Sequence, residues 1–295
     1  MIWKSILDAS PVALASHSPM RAASAAAALG PAVSRPRHRR RRGAPPIAAR
    51  ASDDLGLTLE APGWSGGYGT GGRVWSSSDV LIEFLRENDD VVRDASVVEL
   101  GSGTGAVGIA AAALGARSVI LSDGGSDSLV RLAKDNASRN VASGAIDGAK
   151  TTIDVAAYRW NDAAPPAEML AAAPFDVILG SDCTYSVSSH GALCDAVKAL
   201  LALSGGGDGG EASESENDDD GGGGRCRVIL GHQHRTLPAF LAGRGFAVNG
   251  WGRDPHLDMF VKTARERGLV ANEIQTTKLR WHGLLNVTLL ELTIA

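Results

Sequence analysis

The sequence predicts an α/β fold whose doubly wound sheet of seven strands is mostly parallel, with an antiparallel hairpin at its C-terminal edge. Apolar strand-like segments alternate with helical segments from residue 96 to residue 231, which is the order found in open α/β sheets. The first strand runs into a row of alternating glycines that opens an Ala-rich helix. Two strand-like segments close the chain without a helix between them, and they predict the hairpin.

Length, cysteine usage and charge limit the class of protein. The 295 residues suffice for one large domain with tails. No apolar run reaches the ~18–20 residues that span a bilayer, so we expect no membrane partner. Three cysteines give no disulfide framework and suit a reducing compartment. The first 50 residues carry a net charge of +8, which leaves −12 for the rest of a chain whose total is −4. This acidic body argues against nucleic acid as a partner.

Residues 1–52 are expected to form a disordered tail, because they are rich in Ala, Ser, Pro and Arg and nearly free of acid. This composition is typical of an organelle transit peptide, and the excess of small and hydroxylated residues favours a chloroplast over a mitochondrion. Two alternatives stay open: a nuclear-import signal at Arg39–Arg42, and a tail of biased composition on a cytoplasmic protein. The folded domain is then expected over residues 53–295.

The predicted elements follow a Gly-rich lead-in at residues 63–72. A helix capped by a serine or by Asp79 is expected next, because apolar residues recur at helical spacing from Val80 to Leu85. The core strands are predicted at residues 96–100, 118–123, 151–157, 175–181 and 225–231, and the helices between them at 105–115, 126–140, 166–172 and 188–203.

Residues 205–224 are expected to form a disordered acidic insertion within the domain. They contain nine glycines and seven acidic residues, so they cannot bury enough apolar surface to offset the entropy of ordering. After the insertion and the fifth strand, helices are predicted at 237–245 and 257–268. The closing hairpin is predicted to pair residues 270–277 with residues 286–294.

A cofactor site is predicted where the first strand meets Gly101, Gly103 and Gly105. Such a turn exposes backbone N–H groups near a helix N-terminus, where nucleotide-like cofactors bind. Asp123 ends the next strand with a carboxylate that could hold a ribose. These features fit NAD as well as S-adenosylmethionine, and the antiparallel hairpin favours the second.

A candidate catalytic pair follows the fourth strand. Asp182 and Tyr185 come directly after the apolar run that ends at Ser181. In a doubly wound sheet this strand lies beside the first, so the pair would face the glycine turn across one crevice. The alternative is that Asp182 caps the next helix and Tyr185 packs on it.

Together, the sequence from Glu99 to Gly105, the Val74-Trp75 pair upstream and the Asp182-Cys183-Thr184-Tyr185 segment resemble methyltransferase family 16. Asn136, Asn140 and Trp160 are further matches, and the resemblance covers residues 70–205 best. The resemblance implies a Rossmann-like fold, S-adenosylmethionine as cofactor, and in many members protein lysine as the acceptor. It also implies cofactor contacts at Trp75, Gly101, Ser102, Gly103, Asp123, Trp160 and Ser181, with Asp182 and Tyr185 as catalytic residues.

The function expected from this resemblance is methyl transfer to a lysine of a protein substrate, by a monomer. Two other functions stay open: N-methylation of a small-molecule amine, and binding of S-adenosylmethionine by a non-catalytic assembly factor. An NAD oxidoreductase is the third rival. No metal is expected, because His232 and His234 flank Gln233 with no cysteine or acid at metal-ligand spacing.

Overall fold

The computed structural model describes residues 49–65, 67–205, 225–235, 254–279 and 286–295. Its strands are β1 (Ser96–Leu100), β2 (Ser118–Asp123), β3 (Thr152–Ala157), β4 (Val177–Ser181), β5 (Arg227–Gln233), β6 (Leu269–Lys278) and β7 (Asn286–Ile294). Its α-helices are α1 (Ala49–Asp54), α2 (Ser76–Glu87), α3 (Ala106–Ala113), α4 (Asp127–Ala142), α5 (Ala167–Ala172), α6 (His190–Leu203) and α7 (Pro255–Glu266). Short 3-10 helices lie at Gly69–Gly72, Asp89–Val91 and Val187–Ser189. The predicted helix at 237–245, the predicted insertion beyond Gly205 and the predicted tail up to residue 48 lie outside the described residues.

The sheet has the strand order β3-β2-β1-β4-β5-β7-β6. The pairs among β1 to β5 are parallel, whereas β7 pairs antiparallel with both β5 and β6. The predicted doubly wound sheet with its antiparallel C-terminal hairpin is therefore confirmed. Leu100 at the end of β1 pairs with Ser122 of β2 on one side and with Gly180 of β4 on the other. The carboxyl ends of these three strands thus meet at one edge, where the chain reverses its winding direction.

Apolar side chains cover both faces of the sheet. Val97 and Val98 are fully buried neighbours on β1, yet they belong to different apolar clusters, because successive side chains of a strand point to opposite faces. One cluster takes in Leu81 of α2 and Ile109 of α3, and the other takes in Leu193 of α6. Burial on both sides explains why these strands read as continuous apolar runs.

The N-terminal end of α2 differs from the prediction. The helix begins at Ser76 with Trp75 at its N-cap, and no side chain caps it. The expected cap at a serine or at Asp79 is therefore wrong. The hydroxyls of Ser77 and Ser78 instead approach Ser181 Oγ at 2.9 Å each, so they join α2 to the end of β4.

The segment before the sheet is held by side chains of α4. Asn140 Oδ1 accepts from the backbone N–H of Thr58, and Asn136 Oδ1 accepts from that of Glu60, both at 2.8 Å. The amide groups of both asparagines also donate back to the carbonyls of this segment. The folded part extends further still, because α1 begins at Ala49, within the range predicted as a tail. None of the described helices is long and apolar enough to span a membrane.

Candidate active site

A cavity of about 730 Å³ lies at the carboxyl ends of β1, β2 and β4. The Gly-rich lead-in and the N-terminal end of α2 form its other wall. All nine residues predicted for the site line this one cavity: Trp75, Gly101, Ser102, Gly103, Asp123, Trp160, Ser181, Asp182 and Tyr185. The strand order explains their meeting, since it brings residues 80 positions apart to the same sheet edge.

The turn after β1 requires its glycines. Gly101 and Gly103 have φ values of +66° and +55°, a region that side chains with a Cβ rarely adopt. A Cβ on Gly101 would lie 2.8 Å from Cys183 Sγ and 3.2 Å from Trp160, and a Cβ on Gly103 would lie 2.8 Å from the carbonyl oxygen of Gly71. The turn therefore leaves bare backbone facing the cavity, with the lead-in packed directly over it.

Asp123 closes the turn from the neighbouring strand. Its Oδ2 accepts a hydrogen bond from the N–H of Gly103 at 2.9 Å, and its Oδ1 accepts one from the N–H of Gly125 at 2.8 Å. Burial raises the pKa of this carboxyl, and the two backbone hydrogen bonds oppose that shift. Asp123 thus holds a carboxylate at the cavity lining beside the glycine turn.

Glu99 also lines the cavity, and no functional role was predicted for it from the sequence. Its side chain is buried, and its Oε2 accepts from the N–H of Gly108 in α3 at 2.8 Å. Burial raises the pKa of Glu99 to about 8, the hydrogen bond from Gly108 lowers it, and the charge of Asp123 raises it further. An acidic residue inside an otherwise apolar strand is the sequence signal that could have revealed it.

Within the described part of the chain, two buried polar atoms of the cavity lining have no hydrogen-bond partner: Ser102 Oγ and Asp182 Oδ1. A buried polar atom without a partner costs free energy, on the order of 1–3 kcal/mol. Ser102 lies on the glycine turn and Asp182 follows β4, so the two atoms lie at the neighbouring carboxyl ends of β1 and β4.

Asp182 has an unusual conformation for a residue other than glycine. Its φ is +53°, and its backbone N–H donates to the carbonyl oxygen of Gly231 on β5 at 2.8 Å. Its side chain is 3% exposed, and Oδ2 accepts from Nη2 of Arg235. Burial raises the pKa of the Asp182 carboxyl, while the Arg235 guanidinium opposes that rise. The alternative that Asp182 caps the next helix is wrong, because Ser189 is the N-cap of α6.

Tyr185 stands at the rim of the cavity with 41% of its surface exposed. The guanidinium carbon of Arg235 lies 5.4 Å from the centre of its ring, within the range of cation–π attraction. Its hydroxyl is 3.5 Å from Oγ1 of Thr70, at the limit of a hydrogen bond. The ring contact thus lies well within its favourable range, whereas the hydroxyl contact is marginal.

Residues 52–206, slightly more than half of the chain, match the model of the family described as lysine methyltransferase. The chain belongs to this lysine methyltransferase family. The matched range contains the glycine turn and both candidate catalytic residues.

The chain is also similar to individual proteins, over part of the length of each. The chain is 33% identical to a calmodulin-lysine N-methyltransferase of Arabidopsis thaliana over 43% of this chain and 40% of the relative. It is 36% identical to the protein-lysine N-methyltransferase EFM3 of Chaetomium thermophilum over 45% and 39% of the two chains. A third relative, the protein N-terminal and lysine N-methyltransferase EFM7 of Yarrowia lipolytica, is 28% identical over 52% and 58%. The chain thus spans less than two thirds of each of these relatives.

In this member of the lysine methyltransferase family, a buried cluster of His232, His234 and Asp254 lies at the end of β5. The spacing of these residues in the sequence does not indicate that they meet. His232 Nε2 lies 3.0 Å from Asp254 Oδ2, and His232 Nδ1 lies 2.6 Å from Oγ1 of Thr184. We expected no acid beside the histidines, but the structure places Asp254 there. His234 joins the group, and the ligand-capable atoms of the three residues lie within 4.8 Å of one another. The absence of a metal stays a prediction. The hydrogen bonds themselves link β5 to the loop that carries Asp182 and Tyr185.

Proposed function

We propose that this protein is an S-adenosylmethionine-dependent N-methyltransferase that acts on lysine side chains of a protein substrate. One observation carries the proposal: Asp182 Oδ1 is a buried carboxylate oxygen with no hydrogen-bond partner among the described residues, and Asp182 lines the same cavity as the glycine turn. A cofactor on the turn and an acceptor amine at Asp182 would share this cavity. Membership of the lysine methyltransferase family supports the same assignment.

The residues of the cavity fit S-adenosylmethionine. Asp123 offers carboxylate oxygens to ribose hydroxyls, and the turn at Gly101–Gly103 offers bare backbone. Ser102 Oγ needs a polar partner, which the amino acid part of the cofactor contains. Trp75 and Trp160 line the cavity with aromatic surface, and we assign Trp160 to the adenine side. Ser181 joins the end of β4 to the N-terminal end of α2 through hydrogen bonds with Ser77 and Ser78.

The bound cofactor supplies a methyl group on a sulfonium, and the residues of this chain have to position and desolvate the acceptor. Asp182 Oδ1 can accept a hydrogen bond from the acceptor amine, which fixes the direction of its lone pair. Tyr185 can cover the amine with its ring and exclude water. Burial lowers the pKa of an amine, and this favours the neutral form that reacts.

The depth of the site favours lysine as the acceptor. Asp182 is 5% exposed, whereas Tyr185 at the rim is 41% exposed. An amine reaches Asp182 only on a slim arm, and lysine carries its amine on four methylene groups. Small-molecule amines could also enter, so this rival is an outcome of the experiment below.

The proposal can be tested with purified protein, methyl-labelled S-adenosylmethionine and a lysate depleted of this enzyme. We expect label in a protein band, lysine methylation in that band by mass spectrometry, and loss of both with Asp182→Asn. Asp135→Asn, on the exposed side of α4, is the matched control and should keep the activity. Label confined to soluble metabolites would instead indicate a small-molecule enzyme. Cofactor binding without any labelling, with biological activity kept by Asp182→Asn, would indicate an assembly factor. Tight NAD binding in calorimetry would contradict the cofactor assignment.

We also propose that the protein acts in a chloroplast, on the composition of residues 1–52 alone. A fluorescent fusion of the full chain should appear in chloroplasts, and a fusion without residues 1–48 should not. Fluorescence in mitochondria, the nucleus or the cytoplasm would contradict this proposal without affecting the proposed reaction.

A further inference from the structure

Arg235 lies two residues beyond β5 and reaches across to both candidate catalytic residues. Its Nη2 donates to Asp182 Oδ2, and its guanidinium carbon lies 5.4 Å from the ring centre of Tyr185. It also lines the cavity. An arginine that served only to neutralise a carboxylate would commonly bind both oxygens with its planar fork. Here Arg235 engages one oxygen of Asp182, and the other has no hydrogen-bond partner in the described part of the chain.

The position of Arg235 is fixed from its own backbone. Its N–H donates to Asp254 Oδ2 at 2.8 Å, and its Nη1 donates to the carbonyl oxygen of Gln233 at 3.0 Å. Asp254 is itself held, because it accepts from His232 and caps α7 through the N–H of His256. Hydrogen bonds therefore hold both the backbone and the guanidinium of Arg235. These bonds fix the guanidinium beside Asp182.

The positive charge of Arg235 affects the protonation of both Asp182 and the acceptor amine. The acceptor nitrogen must present its lone pair, because that pair forms the new bond to carbon. A lone buried carboxylate would work against this in two ways: it would itself tend to protonate, and, when ionised, it would favour the ammonium form of a nearby lysine. A guanidinium beside the carboxylate counters both effects, since it favours the ionised acid and disfavours a second cation.

We propose that Arg235 is a positioning residue of this site. Its guanidinium binds Oδ2 of Asp182 and stacks on the ring of Tyr185, and this leaves Oδ1 of Asp182 for a neutral acceptor amine. The inference rests on the proposed function for the identity of the acceptor. Its electrostatic part concerns Asp182 itself and does not depend on turnover.

The neighbours of Asp182 support the assignment of this effect to Arg235. Among the described residues, the titratable or charged groups around the carboxylate are His232 from β5, Arg235 two residues beyond it, and Cys183 and Tyr185 from its own loop. The backbone of Gln233 also acts on the carboxyl and lowers its pKa. On the α2 side, the groups that approach neighbouring Ser181 are the hydroxyls of Ser77 and Ser78. Burial raises the pKa of the Asp182 carboxyl, and the largest opposing influence is the hydrogen bond from Arg235.

The test compares Arg235→Met, which removes the charge, with Arg235→Lys, which keeps a charge but loses the planar group. Carbon NMR of the Asp182 carboxyl in the full chain, assigned with Asp182→Asn, gives its titration midpoint without any substrate. We expect the midpoint to rise by at least one pH unit in Arg235→Met and by less in Arg235→Lys. Arg131→Met, an exposed arginine of α4, should leave it unchanged. An unchanged midpoint in Arg235→Met would overturn the proposal.

The second measurement is the pH profile of methyl transfer. We expect the optimum of Arg235→Met to move to higher pH, with part of the lost activity recovered there, and Arg235→Lys to lie between the two. A loss of the same size at every pH would mean structural damage and would overturn the positioning role. A wild-type chain that transfers no methyl group at any pH would instead refute the proposed function, while the NMR result would still decide the role of Arg235.

Discussion

Asp123 and Gly103 join the second strand to the glycine turn: Asp123 Oδ2 accepts a hydrogen bond from the Gly103 N–H at 2.9 Å. The other oxygen of the same carboxylate accepts from the N–H of Gly125. A single side chain therefore joins the glycine turn to the end of β2. Both oxygens accept backbone hydrogen bonds, so the turn depends on a full carboxylate at this position, and under the proposed function the same oxygens would also meet ribose hydroxyls.

Asp123→Asn should weaken cofactor binding. An asparagine has one acceptor oxygen, so its NH₂ group would face one of the two backbone N–H donors and the ribose hydroxyls would lose an acceptor. We expect the Kd for S-adenosylhomocysteine, measured by calorimetry, to rise at least tenfold, or about 1.4 kcal/mol. Asp127→Asn, an exposed position in the first turn of α4, is the control. Equal affinities for Asp123→Asn and wild type would show that the cofactor does not lie against Asp123.

Gly103→Ala should cost more than backbone strain alone. Gly144 supplies the matched control: its φ is +78° and a Cβ there meets nothing within 4 Å, whereas a Cβ on Gly103 would approach Gly71 O to 2.8 Å. The left-handed conformation costs about 1–2 kcal/mol in either alanine variant. We expect Gly103→Ala to lose further unfolding free energy in urea, and its cofactor affinity to fall, while Gly144→Ala keeps wild-type affinity. Equal losses in the two variants would mean that the lead-in does not pack on the turn.

The sequence was sufficient to predict the elements that position the site. The predicted bounds of β1 and β2 agree with Ser96–Leu100 and Ser118–Asp123, because each is an apolar run buried on both faces and bounded by turn residues. The position of Asp182 and Tyr185 could be inferred as well. Once the strands are parallel and doubly wound, their carboxyl ends share one edge, and residues that follow them share one crevice.

Contacts that depend on the reach of a side chain could not be predicted in this way. Arg235 touches Asp182 from 53 residues away, and Asp254 meets His232 from 22 residues away. Neither pair has a periodicity or a fixed spacing that would mark it in the sequence. The predicted N-cap of α2 was wrong for a related reason, because Ser77 and Ser78 form hydrogen bonds with Ser181 instead of capping the helix.

Glu99 should make the protein less stable as pH rises. Its pKa is raised from 4.5 to about 8 in the folded chain, so above pH 4.5 the unfolded chain loses this proton first and is favoured. The contribution grows by up to about 1.4 kcal/mol per pH unit until about pH 8, where both states are ionised. Asp79, whose pKa burial raises to about 7, acts in the same direction.

Glu99→Gln removes the titration and keeps an acceptor oxygen for the Gly108 N–H. Urea unfolding at pH 5, 6, 7 and 8 should show the variant gaining on wild type with each step. Glu168→Gln, at an exposed carboxylate of α5, should track wild type throughout. A difference between Glu99→Gln and wild type that stays constant across this range would contradict the raised pKa.

Tyr185 should act through its ring rather than its hydroxyl. The hydroxyl has a marginal contact of 3.5 Å with Thr70, whereas the ring faces the Arg235 guanidinium at 5.4 Å. Tyr185→Phe keeps the ring, so we expect its kcat/KM for methyl transfer to stay within about threefold of wild type, since a cation–π contact survives the change. Tyr185→Ala removes both the cover over the amine and the stack on Arg235, and a loss of tenfold or more is expected, equivalent to about 1.4 kcal/mol. If Tyr185→Phe falls as far as Tyr185→Ala, then the phenol oxygen takes part in the reaction and Arg235 does not hold this residue through its ring.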